Sequence, residues 1–231
     1  MVLAIETDRD SVVGVPPIRV VTARGTVRCS KLLLATNAYT AGLLPEFKQR
    51  ITPCVGQVLV TEPVVTQNTD SVSTVFEHRG LTVTASLNRA NPDGEYMLQR
   101  PADGRIVIGS DMDQEGSWDD SVSAIDPDKS KQLRSYLRNR FTGEAAETEP
   151  DAAVDAEWVG VQGYSSDELP WVGPLPARPG VYVAAGYTGG GMPHCLLCGE
   201  AVADMMSGRE PGRFVAAFLP SRDEALVQGR M

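Results

Sequence analysis

Val181-Tyr-Val-Ala-Ala-Gly-Tyr-Thr-Gly-Gly-Gly-Met-Pro-His-Cys195 is the stretch on which the fold reading turns. Val181 to Ala185 is apolar with strand character, the run from Gly186 to Gly191 is too glycine-rich for regular structure, and Leu196 to Met206 continues as an amphipathic stretch. The order is strand, glycine loop, helix. Glycine lets the backbone approach a ligand closely, and the unpaired N–H groups that open a helix present partial positive charge to an anionic or electron-rich group. The loop is therefore a candidate cofactor cradle. It lies late in the sequence, and nothing upstream supplies the GxGxxG between a first strand and a helix that opens a dinucleotide-binding fold. The sequence reads as the back part of something larger.

Working outward, the first segment alternates short β-type runs and turns: Val2 to Ile5, Ile18 to Thr22, then Gly25 to Cys29 after a turn at Ala23-Arg24-Gly25. Lys31-Leu-Leu-Leu-Ala35 is a continuous apolar run suited to a strand buried on both faces of a parallel sheet, stopped by Thr36-Asn37-Ala38. From Ile51 the runs Val58–Val60, Leu81–Ala85, Tyr96–Gln99 and Arg105–Ile108, separated by turn clusters, suggest an antiparallel meander. Asp128 to Phe141 places Leu133, Leu137 and Phe141 at helical spacing, and an acidic linker, Glu144 to Asp155, follows. Trp158 to Gln162 returns to strand character. Asp167-Glu-Leu-Pro-Trp-Val-Gly-Pro-Leu-Pro176 cannot be a central strand throughout and should cross between domains or line a cleft. The expected fold class is mixed, α+β or α/β. Residues 1–50 and 158–231 would form the remnant of a discontinuous Rossmann-like domain, and 51–157 an inserted antiparallel substrate or cap domain.

The 231 residues, 42% of them hydrophobic, can bury a substantial core. A formal net charge of −9 leaves no basic stripe to neutralise phosphates, so nucleic acid is not an expected partner. No apolar run reaches membrane-spanning length and no signal-peptide pattern opens the chain, so a cytoplasmic protein without a membrane partner is expected. The four cysteines, Cys29, Cys54, Cys195 and Cys198, do not suggest a disulfide framework. Cys195 and Cys198 have the spacing of a redox or zinc pair, but with no second pair nearby they read as two small apolar side chains on one helical face, and no metal is assigned.

Gly25 to Tyr39, Ile51-Thr-Pro-Cys-Val-Gly-Gln57, and Trp158 through Gly191, in that order and spacing, resemble the second half of the FAD-dependent oxidoreductase family that contains D-amino-acid oxidase, glycine oxidase and sarcosine oxidase. The resemblance implies a two-domain flavoprotein that oxidises a C–N bond of an amine or amino-acid-like substrate by hydride transfer to non-covalent FAD. It places the turn Ala35, Thr36 and Asn37 near the FAD phosphate and ribose. It sets the backbone of Gly189, Gly190, Gly191 and Met192 against the pyrimidine edge of the flavin, where donors at a helix start stabilise charge gained on reduction. Gln162 stands where amino-acid oxidases of the family hold the substrate carboxylate with arginine, and glutamine offers no charge-assisted clamp, so a neutral or bulkier amine is expected. Val55 stands where many relatives carry arginine, and Gly160 falls near the sarcosine-oxidase-like covalent cysteine, so no covalent flavin is expected.

Trp171 and His194 complete the candidate substrate pocket, each against an alternative: Trp171 as interdomain packing, His194 as a partly exposed packing residue of the first helical turn. Trp158 is expected to pack. His78 reads as part of a solvated turn, and no catalytic residue is assigned, since an oriented, desolvated amine needs no strong side-chain base. The family's N-terminal strand, glycine fingerprint and ribose-binding acid are missing from the sequence, so weak or no FAD binding by this chain alone is expected. Three readings stay open: an oxidoreductase represented by its C-terminal half, a non-catalytic truncated relative serving in binding or assembly, and a partner to another chain that supplies the missing nucleotide-binding half.

Overall fold

The computed structural model describes residues 1–7, 17–63, 95–100, 102–115, 124–140, 153–213 and 216–223. In chain order its elements are β1 (Val2–Thr7), β2 (Ile18–Thr22), β3 (Gly25–Cys29), β4 (Leu32–Leu34), α1 (Thr40–Leu43), β5 (Ile51–Thr61), β6 (Tyr96–Gln99), β7 (Ile106–Glu115), α2 (Pro127–Arg140), β8 (Val154–Ser165), β9 (Trp171–Pro174), β10 (Val181–Ala185) and α3 (Gly191–Met206). They group into two compact units, one drawn from segments within Met1–Cys54 and Gln162–Met231, the other from segments within Val55–Gln114 and Ser121–Val161. The expected runs Leu81–Ala85 and His78, as well as Phe141, lie outside the described residues.

In the first unit, β1, β2 and β3 form an antiparallel sheet in that order. The β2–β3 register pairs Ile18 with Cys29 and Thr22 with Gly25, which leaves Ala23 and Arg24 as the turn. Gly25 takes φ +139°, a conformation that a side chain rarely tolerates. A second sheet has the order β4-β10-β9, with β10 parallel to β4 and antiparallel to β9. The parallel pairing of β4 agrees with its apolar run, but its burial does not: Leu34 is 2% exposed whereas Leu33, on the opposite face, is 36% exposed. Alternation of side chains across a strand separates the two, and only one face of β4 is covered within this unit.

The core of this unit gathers Ile18, Leu34, Leu44, Phe47, Ile51, Trp171, Val181 and Val183. Trp171 is 2% exposed and meets Phe47 edge to face at 5.8 Å between ring centroids. The Arg222 guanidinium lies 3.4 Å from the centroid of the Trp171 ring and forks onto Asp167 through Nε at 2.7 Å and Nη2 at 3.1 Å. The proline-punctuated segment is thus an exposed turn, with Glu168 at φ +64°, leading into an edge strand of this unit's own sheet. Its Trp171, Val172 and Gly173 are buried, so this part is core and not an exposed cleft lining.

In the second unit the sheet order is β6-β7-β5-β8, with β6 and β7 antiparallel. Helix α2 covers it by burying Leu133 among Leu59, Met97, Ile106 and Ile108. The helix begins where Asp126 Oδ1 accepts the N–H of Asp128 at 2.8 Å, a side-chain cap for an otherwise unpaired donor. Gln57 is fully buried and both ends of its amide are used: Nε2 donates to the Asp126 carbonyl at 3.1 Å and to Glu157 Oε1 at 2.7 Å, and Oε1 accepts from the Asp126 N–H at 2.9 Å. Gln57 fastens the start of α2 to the sheet. Trp158, expected to pack, is 46% exposed in this unit. Among the described residues no helix is long and apolar enough to cross a membrane.

Asp167 gives the first unit an acid-sensitive element. Burial raises its pKa, but Arg222, the Ser165 hydroxyl and the Leu169 N–H outweigh that and hold it at about 2 against an ordinary 3.8. The folded form therefore gains stability that is complete above 3.8 and is lost as pH falls toward about 2. Arg222→Leu should move the midpoint of acid unfolding to higher pH, and an unchanged midpoint by tryptophan fluorescence would count against this fork.

Candidate functional site

The glycine loop joins β10 to α3, and it is held in place by residues from two other parts of the first unit. Asn37 sits just after β4 with φ +41°, a left-handed conformation that asparagine tolerates better than most residues. Its side-chain Oδ1 accepts the N–H of Gly186 at 3.0 Å and that of Tyr187 at 3.4 Å. The Ala35–Asn37 turn and the glycine loop, which the sequence suggested as separate parts of one site, are thus joined by a direct hydrogen bond.

The end of β8 closes the clasp from the other side. The Thr188 N–H donates to the Gly163 carbonyl at 3.0 Å, and the Ser165 N–H donates to Thr188 Oγ1 at 2.9 Å. Gly163 permits this approach because it lacks a side chain: a Cβ there would lie 2.8 Å from the Ala38 amide nitrogen and 2.9 Å from Asn37 Oδ1. Thr188 itself takes φ +50°, a strained setting for a β-branched residue, and its hydroxyl bonds hold it there. Gly163 and Thr188 carry as much of the loop geometry as the glycines, and sequence reading passed over both. The only signal was the placement of Gly163 inside an otherwise β-forming run.

The loop glycines are not equivalent. Gly186 and Gly189 have φ of +71° and +72°, so chain conformation requires them. Gly190 and Gly191 have no such φ, and a Cβ on either would meet its nearest neighbours at 3.4 and 3.5 Å, ordinary contact distances. The fold has room for a Cβ at 190 and 191, yet the chain carries none. The Gly190 N–H closes the loop on the Tyr187 carbonyl at 2.8 Å. Helix α3 then starts without a side-chain cap, so the first-turn N–H groups of Gly191 and Met192 point onward as the free donors of a helix start, Pro193 having none. Met192 is 93% exposed.

Around this opening, Gln162 and Tyr164 are half-buried on β8. Their Oε1 and hydroxyl lie 3.8 and 3.4 Å from the position of a Gly189 Cβ, so both polar tips border the loop. Ala35 is exposed, and Thr36 shares a hydrogen bond with Thr40 at 2.8 Å between hydroxyl oxygens. His194 is exposed in the first turn of α3, where its Nδ1 donates to the Gly190 carbonyl at 2.7 Å and its ring meets the edge of Phe218. The structure thus brings Asn37, Gln162, Gly189, Gly190, Gly191 and His194 to one loop. Trp171 is not at that surface; it is buried in the first unit's own core, beside Phe47 and under Arg222. Cys195 and Cys198 do not share an environment, since Cys195 is exposed and Cys198 is buried. Among the described residues no group of three or more His, Cys, Asp or Glu is placed to hold a metal ion.

Comparison with known proteins gives this geometry a context. The family described as "FAD dependent oxidoreductase" matches residues 2–205. The chain is 28% identical over 219 residues to glycine oxidase from Pseudomonas aeruginosa, covering 93% of this chain and 50% of that protein. The crystal structure of glycine oxidase from Geobacillus kaustophilus superposes with a TM-score of 0.69 at 23% identity, over 96% of this chain and 52% of that one. Iminodiacetate oxidase from Chelativorans sp. BNC1 superposes at 0.68 and 17% identity, over 94% and 52%. At these identities the structural likeness shows the fold alone, the mixed arrangement of helices and sheets of glycine oxidase and related oxidoreductases. The chain spans about half the length of the glycine oxidase that it matches.

The clasp is testable apart from any ligand. Asn37→Gly removes the acceptor without backbone strain and leaves the buried Gly186 N–H unpaired, a loss of about 1–3 kcal/mol. Faster hydrogen exchange at the Gly186 and Tyr187 amides should accompany it, and Gly163→Ala should open the same amides from the opposite side. Unchanged protection in both variants would show that the loop does not depend on the clasp.

Proposed function

Because this chain belongs to the family of FAD dependent oxidoreductases, we propose that it forms the back half of an amine or amino-acid oxidoreductase. The observation that carries the reading is the pair Gly190 and Gly191: the fold does not require either glycine, and both open onto the uncapped start of α3. A cradle that side chains would fill fits a flat aromatic group brought against backbone donors. Bound non-covalently there, FAD would supply acceptance of a hydride from the carbon beside the substrate nitrogen, leaving an imine. The N–H groups of Gly191 and Met192 would face its pyrimidine edge, with Gly189 and Gly190 giving close approach, and the turn Ala35, Thr36 and Asn37 would approach its phosphate and ribose. Asn37 would serve chiefly by holding the loop, since Oδ1 is already engaged by it.

Gln162 and Tyr164 border the loop with an amide and a phenol. Neither bears the permanent positive charge that would clamp a free carboxylate, which favours a neutral or bulkier amine over a small zwitterionic amino acid. Their part is to orient the substrate by hydrogen bonds so that its C–H meets the acceptor. His194 would border the same opening, with Nδ1 engaged by Gly190 and its second ring nitrogen directed elsewhere. The expected domain of residues 51–157 would cover the substrate side, and residues 1–50 with 158–231 would hold the cofactor.

A second observation bears on how the site is completed. Among the described strands β4 is the outer strand of its sheet, which offers a backbone edge for pairing, and Leu33 exposes an apolar side chain on one of its faces. The nucleotide-binding half would pair there, whether it belongs to the same polypeptide or to another chain. This chain without that half would hold FAD weakly or not at all, and if no such half exists it would act as a binding or assembly module.

Flavin absorbance titration of the 231-residue chain, with size exclusion to follow co-migration, tests this directly. Weak or absent binding is expected for the chain alone, and saturable binding with amine-dependent bleaching once the missing half is co-expressed. In that complemented form, Gly190→Trp or Gly191→Trp should abolish flavin binding, whereas Gly190→Ala should keep it. Normal flavin spectra in the tryptophan variants would refute the placement of the cradle.

A further inference from the structure

Cys195 and Cys198 lie three residues apart on α3, directly after the loop, and the proposed oxidation uses neither. Cys198 is 4% exposed and packs with Val172, Ala184 and Val202, so it is anchored in the core. Cys195 is exposed, and its Sγ lies 3.5 Å from where a Gly191 Cβ would stand. Tyr187, from the loop itself, packs against the core cluster that holds Cys198, and its Cβ lies 3.5 Å from the same Gly191 Cβ position that Cys195 Sγ approaches. An accessible thiol and a sheltered thiol thus stand one helical turn apart on α3, beside the loop.

We infer that Cys195 and Cys198 are a dithiol pair that low-molecular-weight disulfides oxidise to an intrahelical disulfide, at a site contiguous with the glycine loop. The exposed Cys195 thiolate attacks one sulfur of a reagent such as glutathione disulfide, forming a mixed disulfide and releasing one thiolate. The Cys198 thiolate then attacks the Cys195 sulfur, forming the protein disulfide and releasing the second. Two protein thiols lose two electrons and two protons, and one small disulfide becomes two thiols. Burial pushes the Cys198 thiol up from its ordinary value, so the second attack quickens as pH rises.

Geometry decides where the strain of closure falls. Residues three apart on a helix hold their Cβ atoms about 5–6 Å apart, whereas a disulfide needs about 3.5–4.5 Å, so closure draws the two together by roughly 1.5 Å. Cys198 is fixed by the core. The turn that carries Cys195 begins at an uncapped glycine, Gly190, and yields first. Oxidation therefore acts on Gly190 and Gly191. The pair needs no flavin, so its test stands apart from the proposed activity.

The test uses the full chain with Cys29→Ser and Cys54→Ser, equilibrated with glutathione disulfide, acid-quenched, alkylated and digested with trypsin. The expected result is the loss of two hydrogens from the peptide carrying both cysteines, with neither alkylated nor glutathionylated. Cys198→Ser should leave a stable glutathione adduct on Cys195, and Cys195→Ser should leave Cys198 unmodified. As a check that does not rely on a buried substitution, one equivalent of phenylarsine oxide should protect both thiols from alkylation in the same background. A glutathione adduct on Cys195 with Cys198 still alkylatable, or two alkylated thiols with arsenical present, would overturn the pair.

Discussion

The Asn37 side chain carries the organisation of the first unit. Two backbone donors of the glycine loop, Gly186 and Tyr187, converge on one amide oxygen that has been turned toward them by a left-handed residue at the end of β4. Buried N–H groups without an acceptor are costly, so this oxygen holds a loop whose glycines give it no rigidity of their own. The clasp also explains Gly163, whose missing side chain is the space in which Asn37 and Ala38 lie.

From this clasp the site acquires its shape. The loop is pinned at Gly186 and Tyr187 from the β4 side and at Thr188 from the β8 side, and Gly189 to Met192 extend beyond these anchors. These residues end on the start of a helix with no side-chain cap. Backbone that is fixed behind and open in front is preorganised, and preorganised donors stabilise developing charge better than donors that must first reorient. The second unit solves a related problem with Gln57, whose buried amide secures α2 to its sheet.

Surface and core diverge in chemistry along the same stretch. Trp171, which has the size and shape of a pocket wall, is covered by the Arg222 guanidinium and the edge of Phe47. Burial of a large aromatic ring contributes more to folding than its exposure could. Cys195 and Cys198, one helical turn apart on α3, differ in burial: Cys195 is exposed near the start of the helix, and Cys198 packs with Val172 and Val202.

Sequence alone determined the local elements of this protein. The β-type runs from Ile18 to Thr22 and Gly25 to Cys29, the helix near Asp128, and the strand, glycine loop and helix of Val181 to Met206 follow from periodicity and from residues that permit or forbid backbone conformations. Composition and motif order were also sufficient to indicate the family. Tertiary structure alone decided which polar atoms meet. That Asn37 reaches residues 149 and 150 positions away, that Thr188 is held by β8, and that Leu33 faces outward while Leu34 is buried all depend on strands distant in sequence being brought side by side. Hydrogen bonds are short-ranged and directional, so a pattern of residue types can state that donors and acceptors exist but not which of them the fold will place within 3 Å of one another.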